Sequence, residues 1–218
     1  MRLISLAATT LIVASLVAST ALAAQSNIDK VMGSAVVGSN QHYGDISLVN
    51  GSVQMASNSS ANDISVVNGS IELRDDVKLH SAATVNGSIE SGTGLSVATN
   101  LETVNGEIRL GQNATVVGNI DTVNGDISLD NSEVAQNIST VNGDITLSGS
   151  TVVKGDVIYK PRGKRKSFFG WSNNSTPVLH IGENAVVEGN IILRQQVELK
   201  LDNPTLAAKV IYDINDGR

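Results

Sequence analysis

Short runs of alternating apolar and polar residues recur along most of this chain. One such run follows each Asn-Gly dipeptide, as in Ile127–Leu129 and Ile145–Leu147. Successive side chains of a strand point to opposite faces, so the alternation predicts short strands with one face buried and one exposed. A further apolar stretch follows in each repeat, for example at residues 152–157. The pattern predicts about three strand-like pieces per repeat and a roughly triangular cross-section.

The repeat itself is marked by the tripeptide Val-Asn-Gly, which occurs six times at intervals of 18 or 19 residues. A fixed period with no room for a helix predicts a stacked solenoid. We expect an all-β, single-stranded parallel β-helix of about eight coils, each about 18–19 residues long. The six copies lie at residues 49–51, 67–69, 85–87, 104–106, 123–125 and 141–143.

An array of β-hairpins is the competing interpretation. Asn-Gly is the dipeptide most typical of tight hairpins because both residues tolerate a positive φ. Hairpins would repeat every two strands with independently varying partners, whereas here the same column returns at one-coil spacing. The solenoid is therefore favoured.

In a solenoid the asparagines of the repeat stack at about 4.8 Å. Their amides can hydrogen-bond along the column, as ladders of like side chains do in cross-β assemblies. We predict that this ladder is structural and that loss of Asn124 costs on the order of 1–3 kcal/mol. The glycines beside it, from Gly51 to Gly143, form the corner. The ladder consists of Asn50, Asn68, Asn86, Asn105, Asn124 and Asn142.

Two patterns bear on the hand of the helix. Apolar residues recur at six-residue steps, a spacing that resembles the left-handed hexapeptide helix. The phrase Val-Asn-Gly-Asp-Ile resembles right-handed bacterial solenoids more closely, so we expect a right-handed helix. The six-residue series is Val117, Val123, Leu129, Ala135, Val141, Leu147 and Val153.

The same phrase resembles the repeats of an uncharacterised adhesin-like family of secreted or anchored bacterial β-solenoids. More distantly the chain resembles the bactofilins, which are polymer-forming cytoskeletal proteins. The resemblance covers residues 44–157 and extends to 176–195. It implies a β-solenoid fold.

One coil departs from the repeat. Residues 178–191 align with residues 108–120, but the Val-Asn-Gly corner before them is replaced by an insertion at residues 160–177. Loops inserted into solenoid coils often form the binding face. The insertion holds five of the chain's 15 Lys and Arg residues, both phenylalanines and the only tryptophan. These candidate binding residues are Lys160, Arg162, Lys164, Arg165, Lys166, Phe168, Phe169 and Trp171.

Basic residues beside aromatic rings suit an anionic membrane surface, which attracts the charges and accommodates the rings at its interface. An acidic envelope glycan, or a protein partner anchored by Trp171 and Arg165, would fit the same chemistry. Nucleic acid is not expected for an exported protein. The alternative is that the aromatic residues cover the flank of the solenoid and the charges are solvated or paired with its acidic body.

The first 23 residues predict a secretory signal peptide: Arg2, an apolar stretch, and an Ala-Leu-Ala cleavage signal at 21–23. The chain has no cysteine, which excludes disulfides and a lipoprotein lipobox. We therefore expect a periplasmic or extracellular protein that is not a lipoprotein.

Catalysis by a solenoid face is the alternative from another class. Glu107, Asp126 and Asp144 follow successive Asn-Gly corners. Polysaccharide cleavage needs carboxylates at a defined separation, and stacked carboxylates could also bind Ca²⁺. Their column also contains Ser52, Ser70 and Ser88. His42, His80 and His180 show no metal-ligand spacing. Even spacing and minimal coils favour a solvated face, so we predict no enzyme activity, no metal and no cofactor.

The ends of the rod complete the predicted organisation. Residues 24–43 are expected to be a cap or an irregular coil, residues 44–195 the solenoid, and residues 196–218 a final strand and cap. An uncapped end invites further strands, so self-association through the coil ends is a second alternative function. The favoured interpretation is a rigid, non-catalytic envelope protein whose insertion at 160–177 makes the contact.

Overall fold

The computed structural model describes residues 26–162 and 175–214, and the predicted signal peptide lies outside them. The described chain is almost entirely β, with a single 3₁₀ helix at Pro204–Lys209. Within these residues, no helix has the length and apolar character needed to cross a membrane.

The strands form three stacks that run along the solenoid. The first stack is a nine-stranded sheet. It consists of β2 (Ala35–Val37), β4 (Val53–Met55), β6 (Ile71–Leu73), β8 (Ile89–Ser91), β11 (Ile108–Leu110), β14 (Ile127–Asp130), β17 (Ile145–Ser148), β20 (Val178–Ile181) and β23 (Glu198–Leu201).

The second and third stacks belong to one 15-stranded sheet. The second contains β9 (Ser96–Val97), β12 (Thr115–Val116), β15 (Glu133–Val134), β18 (Val152–Val153) and β21 (Val186–Val187). The third contains β1 (Ile28–Met32), β3 (Ile46–Asn50), β10 (Leu101–Asn105), β13 (Ile120–Asn124), β16 (Ile138–Thr140), β19 (Val157–Tyr159), β22 (Ile191–Leu193) and β24 (Val210–Tyr212). Two long strands, β5 (Ser60–Asn68) and β7 (Lys78–Asn86), pass through both stacks and join them.

Every strand pairs in parallel with its counterparts one coil away, in the register set by the repeat. Ile108 lies between Ile89 and Ile127, and Ile145 follows Ile127. The parallel β-solenoid is therefore confirmed and the hairpin array is wrong. The described residues form about nine coils, as counted by the nine strands of the first stack. This agrees closely with the predicted number of about eight, and residues 28–37 and 198–212 also pair in register although they lack a Val-Asn-Gly motif.

The core is a continuous column of aliphatic side chains between the three stacks. Ile108, Ile127 and Ile145 are all 0% exposed. Full burial of such a side chain contributes about 1.5–3 kcal/mol, so stacked coils provide a large core without disulfides. The six-residue apolar series does not follow this core, since Val117 and Val123 are exposed whereas Leu129, Leu147 and Val153 are buried.

The insertion interrupts the chain without interrupting the stack. On its near side β19 pairs with β16, and on its far side β20 pairs with β17. The two flanks are also tied directly, since the Arg162 guanidinium donates to the backbone oxygen of Ser175 at 3.0 Å. The Tyr159 hydroxyl donates to the backbone oxygen of Val178 at 3.0 Å. The solenoid therefore offers a firm base on both sides of the insertion.

At the C-terminal end of the solenoid, the core and the last strand of the second stack are covered. The side chain of Asn203 accepts the amide of Thr205 and starts the 3₁₀ helix, which places Leu206 over the core at 4% exposure. The Nζ atom of Lys209 donates to the backbone oxygens of Val187 and Glu188 at 2.6 and 2.9 Å. These contacts satisfy two carbonyl groups, one in the last strand of the second stack and one in the residue that follows it.

Candidate functional site: the valine groove and the base of the insertion

The six predicted asparagines lie in one column at the first corner. From Asn68 onward, each Nδ2 donates to the Oδ1 of the asparagine one coil before, at 2.8–3.0 Å. The column begins at Asn50, whose amide is 3.4 Å from the backbone oxygen of Val31, because Met32 occupies the ladder position of the first coil. The asparagine side chains are therefore used by the fold.

The glycines beside the ladder are required for close approach. A Cβ on Gly51, Gly69, Gly87, Gly106, Gly125 or Gly143 would overlap the carbonyl oxygen of the preceding corner glycine. At Gly51 and Gly69 the φ angles of 154° and 151° add backbone strain for other residues. The corner therefore admits only glycine because of its tight stacking.

The carboxylate column next to this corner also serves the fold. Asp126 Oδ1 accepts the amide of Asp144 at 2.8 Å, and Asp144 Oδ1 accepts the amide of Val178 at 2.8 Å. The hydroxyls of Ser52, Ser70 and Ser88 accept the amide of the following coil in the same way, at 3.2–3.3 Å.

Glu107 differs from the other acids of this column because it pairs with Arg109 at 2.6 Å. The hydrogen bond and charge of Glu107 raise the pKa of Arg109. The acids of this column thus have local partners in backbone amides or a cation.

The histidines are not brought together. His42 contacts the Ser60 hydroxyl at 2.6 Å, and His180 Nε2 lies 3.2 Å from Asp202 Oδ2. Among the described residues, no group of three or more His, Cys, Asp or Glu side chains is arranged to hold a metal ion.

Sequence reasoning missed a second polar column, which lies at the corner before the third stack. Asn100, Asn119, Asn137 and Asp156 each accept, through Oδ1, the backbone amide at the same position of the next coil, at 2.8–3.1 Å. A polar residue just before the strand residues Ile120 and Ile138 is its sequence signal.

The remaining corner carries the residues with left-handed backbone. Asparagine, aspartate and glycine tolerate this conformation best, and their recurrence at one register was the available signal. The residues are Asn40, Asn58, Asp76, Gly94, Asn113, Asn131 and Gly149, with φ between 46° and 76°.

A groove with a volume of about 710 Å³ runs along the outside of the third stack. One wall is a column of outward-pointing valines, which are Val31 and the valines of the first five Val-Asn-Gly motifs, and each motif valine has roughly two fifths of its surface exposed. The other wall consists of small or acidic residues, and the backbone of the intervening strand residues forms the floor. The valine wall is Val31, Val49, Val67, Val85, Val104 and Val123, and the opposite wall is Asp29, Ser47, Ser65, Ala83, Glu102 and Asp121.

The groove ends where the insertion begins. Lys160 follows β19 in the register of Val141, and its Nζ reaches back two coils to Asp121 Oδ1 at 3.0 Å. At the other end, the Nζ of Lys30 donates to the backbone oxygen of Ser34 at 2.8 Å. The groove is therefore bordered by a lysine at each end.

Of the predicted binding residues, only Lys160 and Arg162 are described. Both are engaged at the base of the insertion, Lys160 with Asp121 and Arg162 with Ser175. Lys164, Arg165, Lys166, Phe168, Phe169 and Trp171 lie outside the described residues.

Comparison of the chain with protein-family models, with curated proteins and with solved structures finds no match.

Proposed function

We propose that this protein is a non-catalytic structural and binding protein exported to the bacterial cell envelope. Its rigid solenoid would present the basic and aromatic insertion to an anionic surface. Export is inferred from residues 1–23, and the anionic target from the residues of the insertion.

The main support is the place of the insertion in the fold. Strands on both sides of it keep the register of the stack, and Arg162 bonds to Ser175 across its base. A segment with this composition on a fixed base is a suitable contact element, since each basic residue near an anionic leaflet contributes about 1 kcal/mol.

The acidic column next to the Asn-Gly corner is better explained by the fold than by catalysis. Asp126 and Asp144 accept backbone amides of the next coil. We therefore assign no catalytic residue.

Co-sedimentation with liposomes tests the proposal. The chain from Ala24 onward is mixed with vesicles of zwitterionic lipid alone or with added anionic lipid, at low and moderate salt. We expect salt-sensitive binding to the anionic vesicles only, because salt screens the attraction. The binding should be lost when residues 163–174 are deleted, a change that leaves Arg162 and Ser175 in place.

Two substitution sets separate charge from simple loss of the loop. Lys164, Arg165 and Lys166 changed to Gln should abolish binding, whereas the same loss of charge at Lys78, Lys154 and Lys200 should not. Failure of the parent chain to bind, with its fold intact by circular dichroism, would reject the membrane target. The same variants would then be tested on acidic envelope glycans.

A further inference from the structure

The valine groove is unusually apolar for a solvent-exposed face. Its apolar wall is continuous over six coils, a length of about 24 Å at a spacing of about 4.8 Å. Exposed valines in isolation are ordinary, but a contiguous apolar strip beside a groove is typical of a contact site.

The charges in the groove define the chemistry of its occupant. Asp29, Glu102 and Asp121 line it, and among the described residues Asp121 alone of these three forms an ion pair, with Lys160. A segment that carries both cations and large apolar side chains would complement carboxylates on one wall and valines on the other.

This chain has such a segment next to the groove. Lys160 precedes it and already points along the groove toward its N-terminal end, as the contact with Asp121 shows. The three basic residues 164–166 and the aromatic residues 168, 169 and 171 follow within eleven positions.

The segment is also long enough. Arg162 and Ser175 are held together, so the 12 residues between them leave and return at one point. Half of that length, about six residues at roughly 3.3 Å each, reaches about 20 Å from its base. At about 4.8 Å per coil this distance spans roughly four coils, which brings Val123, Val104 and Val85 within reach.

We propose that the valine groove is the docking site for residues 163–174 of the same chain, with the aromatic side chains against the valines and a basic residue paired with Glu102. When no anionic surface is present, docking in the groove buries these aromatic side chains away from water. The inference stands apart from the proposed function, because it concerns the free protein and is tested without lipid.

Trp171 reports on the contact because it is the only tryptophan in the chain. In the full mature chain we expect blue-shifted emission and slow quenching by acrylamide. Val104→Asp should shift the emission to the red and at least double the quenching constant. Val186→Asp, at a valine of similar exposure on another stack (43% against 39%), is the matched control and should change neither.

A second variant guards against misfolding of the first. Glu102→Lys leaves the valines intact and reverses the charge that favours docking, so it should also increase quenching. Circular dichroism and a thermal melt confirm that each variant is folded. Solvent-exposed emission from the parent chain, or parent-like emission from both folded variants, would overturn the proposal.

The occupant is identified by dilution. Docking within one chain predicts the same Trp171 emission from high to low micromolar protein and a monomer by sedimentation velocity. Emission that reddens on dilution, together with a dimer that dissociates, would assign the groove to the insertion of a second copy and overturn the assignment to the same chain.

Discussion

The Nδ2 atom of Asn124 donates to the Oδ1 atom of Asn105 at 2.9 Å, and the Oδ1 atom of Asn124 accepts from Asn142 at 2.8 Å. Asn124 thus joins three successive coils through its side chain. It is also exposed to solvent. Water can partly replace a lost partner at such a site, so the ladder contributes less per residue than a buried network would.

We expect Asn124→Ala to lower the free energy of unfolding by about 1 kcal/mol, the lower end of the range for an unpaired polar group. Asn142→Ala, at the last asparagine of the ladder, should cost about half as much because it removes one side-chain bond of the ladder instead of two. Chemical denaturation of the two variants measures the difference. Equal stability of Asn124→Ala and the parent would contradict a stabilising ladder.

The corner glycines provide a sharper test. Gly125→Ala places a methyl group onto the carbonyl oxygen of Gly106, so backbone atoms must move. We expect a loss of more than about 2 kcal/mol, in the range of severe overpacking. Gly33→Ala is the control, since no atom lies within 4 Å of its Cβ and only the φ of 97° opposes it. A melting temperature lowered equally by both changes would contradict the steric explanation.

The repeat predicted the stacks because a parallel solenoid places identical residues over one another. Asn-Gly corners and strand alternation are local signals with a direct structural cause. The groove could not be predicted in the same way. In its strands the polar residue points inward and the apolar residue outward, the reverse of what hydropathy predicts: Thr122 is 2% exposed, whereas Val123 is 39% exposed. Two of the inward threonines donate to the carbonyl of a corner glycine, Thr84 to Gly69 at 3.0 Å and Thr103 to Gly87 at 3.1 Å, whereas the buried hydroxyl of Thr122 has no hydrogen-bond partner among the described residues.

The base of the insertion shows the same limit of prediction from sequence. The composition of residues 160–177 indicated binding residues, but could not show that Lys160 pairs with Asp121 two coils away. Such a contact depends on coil stacking, which brings residues 39 positions apart within reach.

Tyr159 makes the stability of the fold sensitive to high pH. Burial raises the pKa of its hydroxyl, and the nearby charges of Asp144 and Asp126 raise it further. The unfolded chain releases this proton near pH 10, the ordinary tyrosine value, while the folded chain retains it. The contribution of Tyr159 is therefore complete below about pH 10 and is lost as the pH rises above that value.

Tyr159→Phe should reduce stability at neutral pH by about 1 kcal/mol, because the bond to the backbone oxygen of Val178 is lost. It should also flatten the fall in melting temperature above about pH 10. Tyr212→Phe, at an exposed tyrosine, is the control and should keep the parent's profile. A parent-like alkaline slope in Tyr159→Phe would show that another group causes it.

The carboxylate of Asp126 separates the structural and catalytic interpretations of its column. Asp126→Asn keeps an oxygen that can accept the amide of Asp144, whereas Asp126→Ala removes it. We expect the alanine variant to lose about 1 kcal/mol and the asparagine variant much less. The parent should release no reducing ends from envelope polysaccharides. Release that disappears in both variants would instead establish a catalytic carboxylate.

The two ends of the solenoid differ, and this difference bears on self-assembly. At the C-terminal end the 3₁₀ helix covers the core and Lys209 binds the last strand of the second stack, whereas at the other end Val31 and Met32 are 69% and 80% exposed. Open strand edges accept further strands, and a lysine at such an edge opposes this. We therefore expect the parent chain to form no head-to-tail filaments.

Lys209→Met combined with Leu206→Ser should permit concentration-dependent association, because it frees the backbone oxygen of Val187 and removes the side chain over the core. Sedimentation velocity and negative-stain microscopy distinguish a monomeric chain from an associated one. Lys200→Met, on the neighbouring stack, is the control and should remain monomeric. Filaments of the parent chain would show that the C-terminal cap does not block stacking.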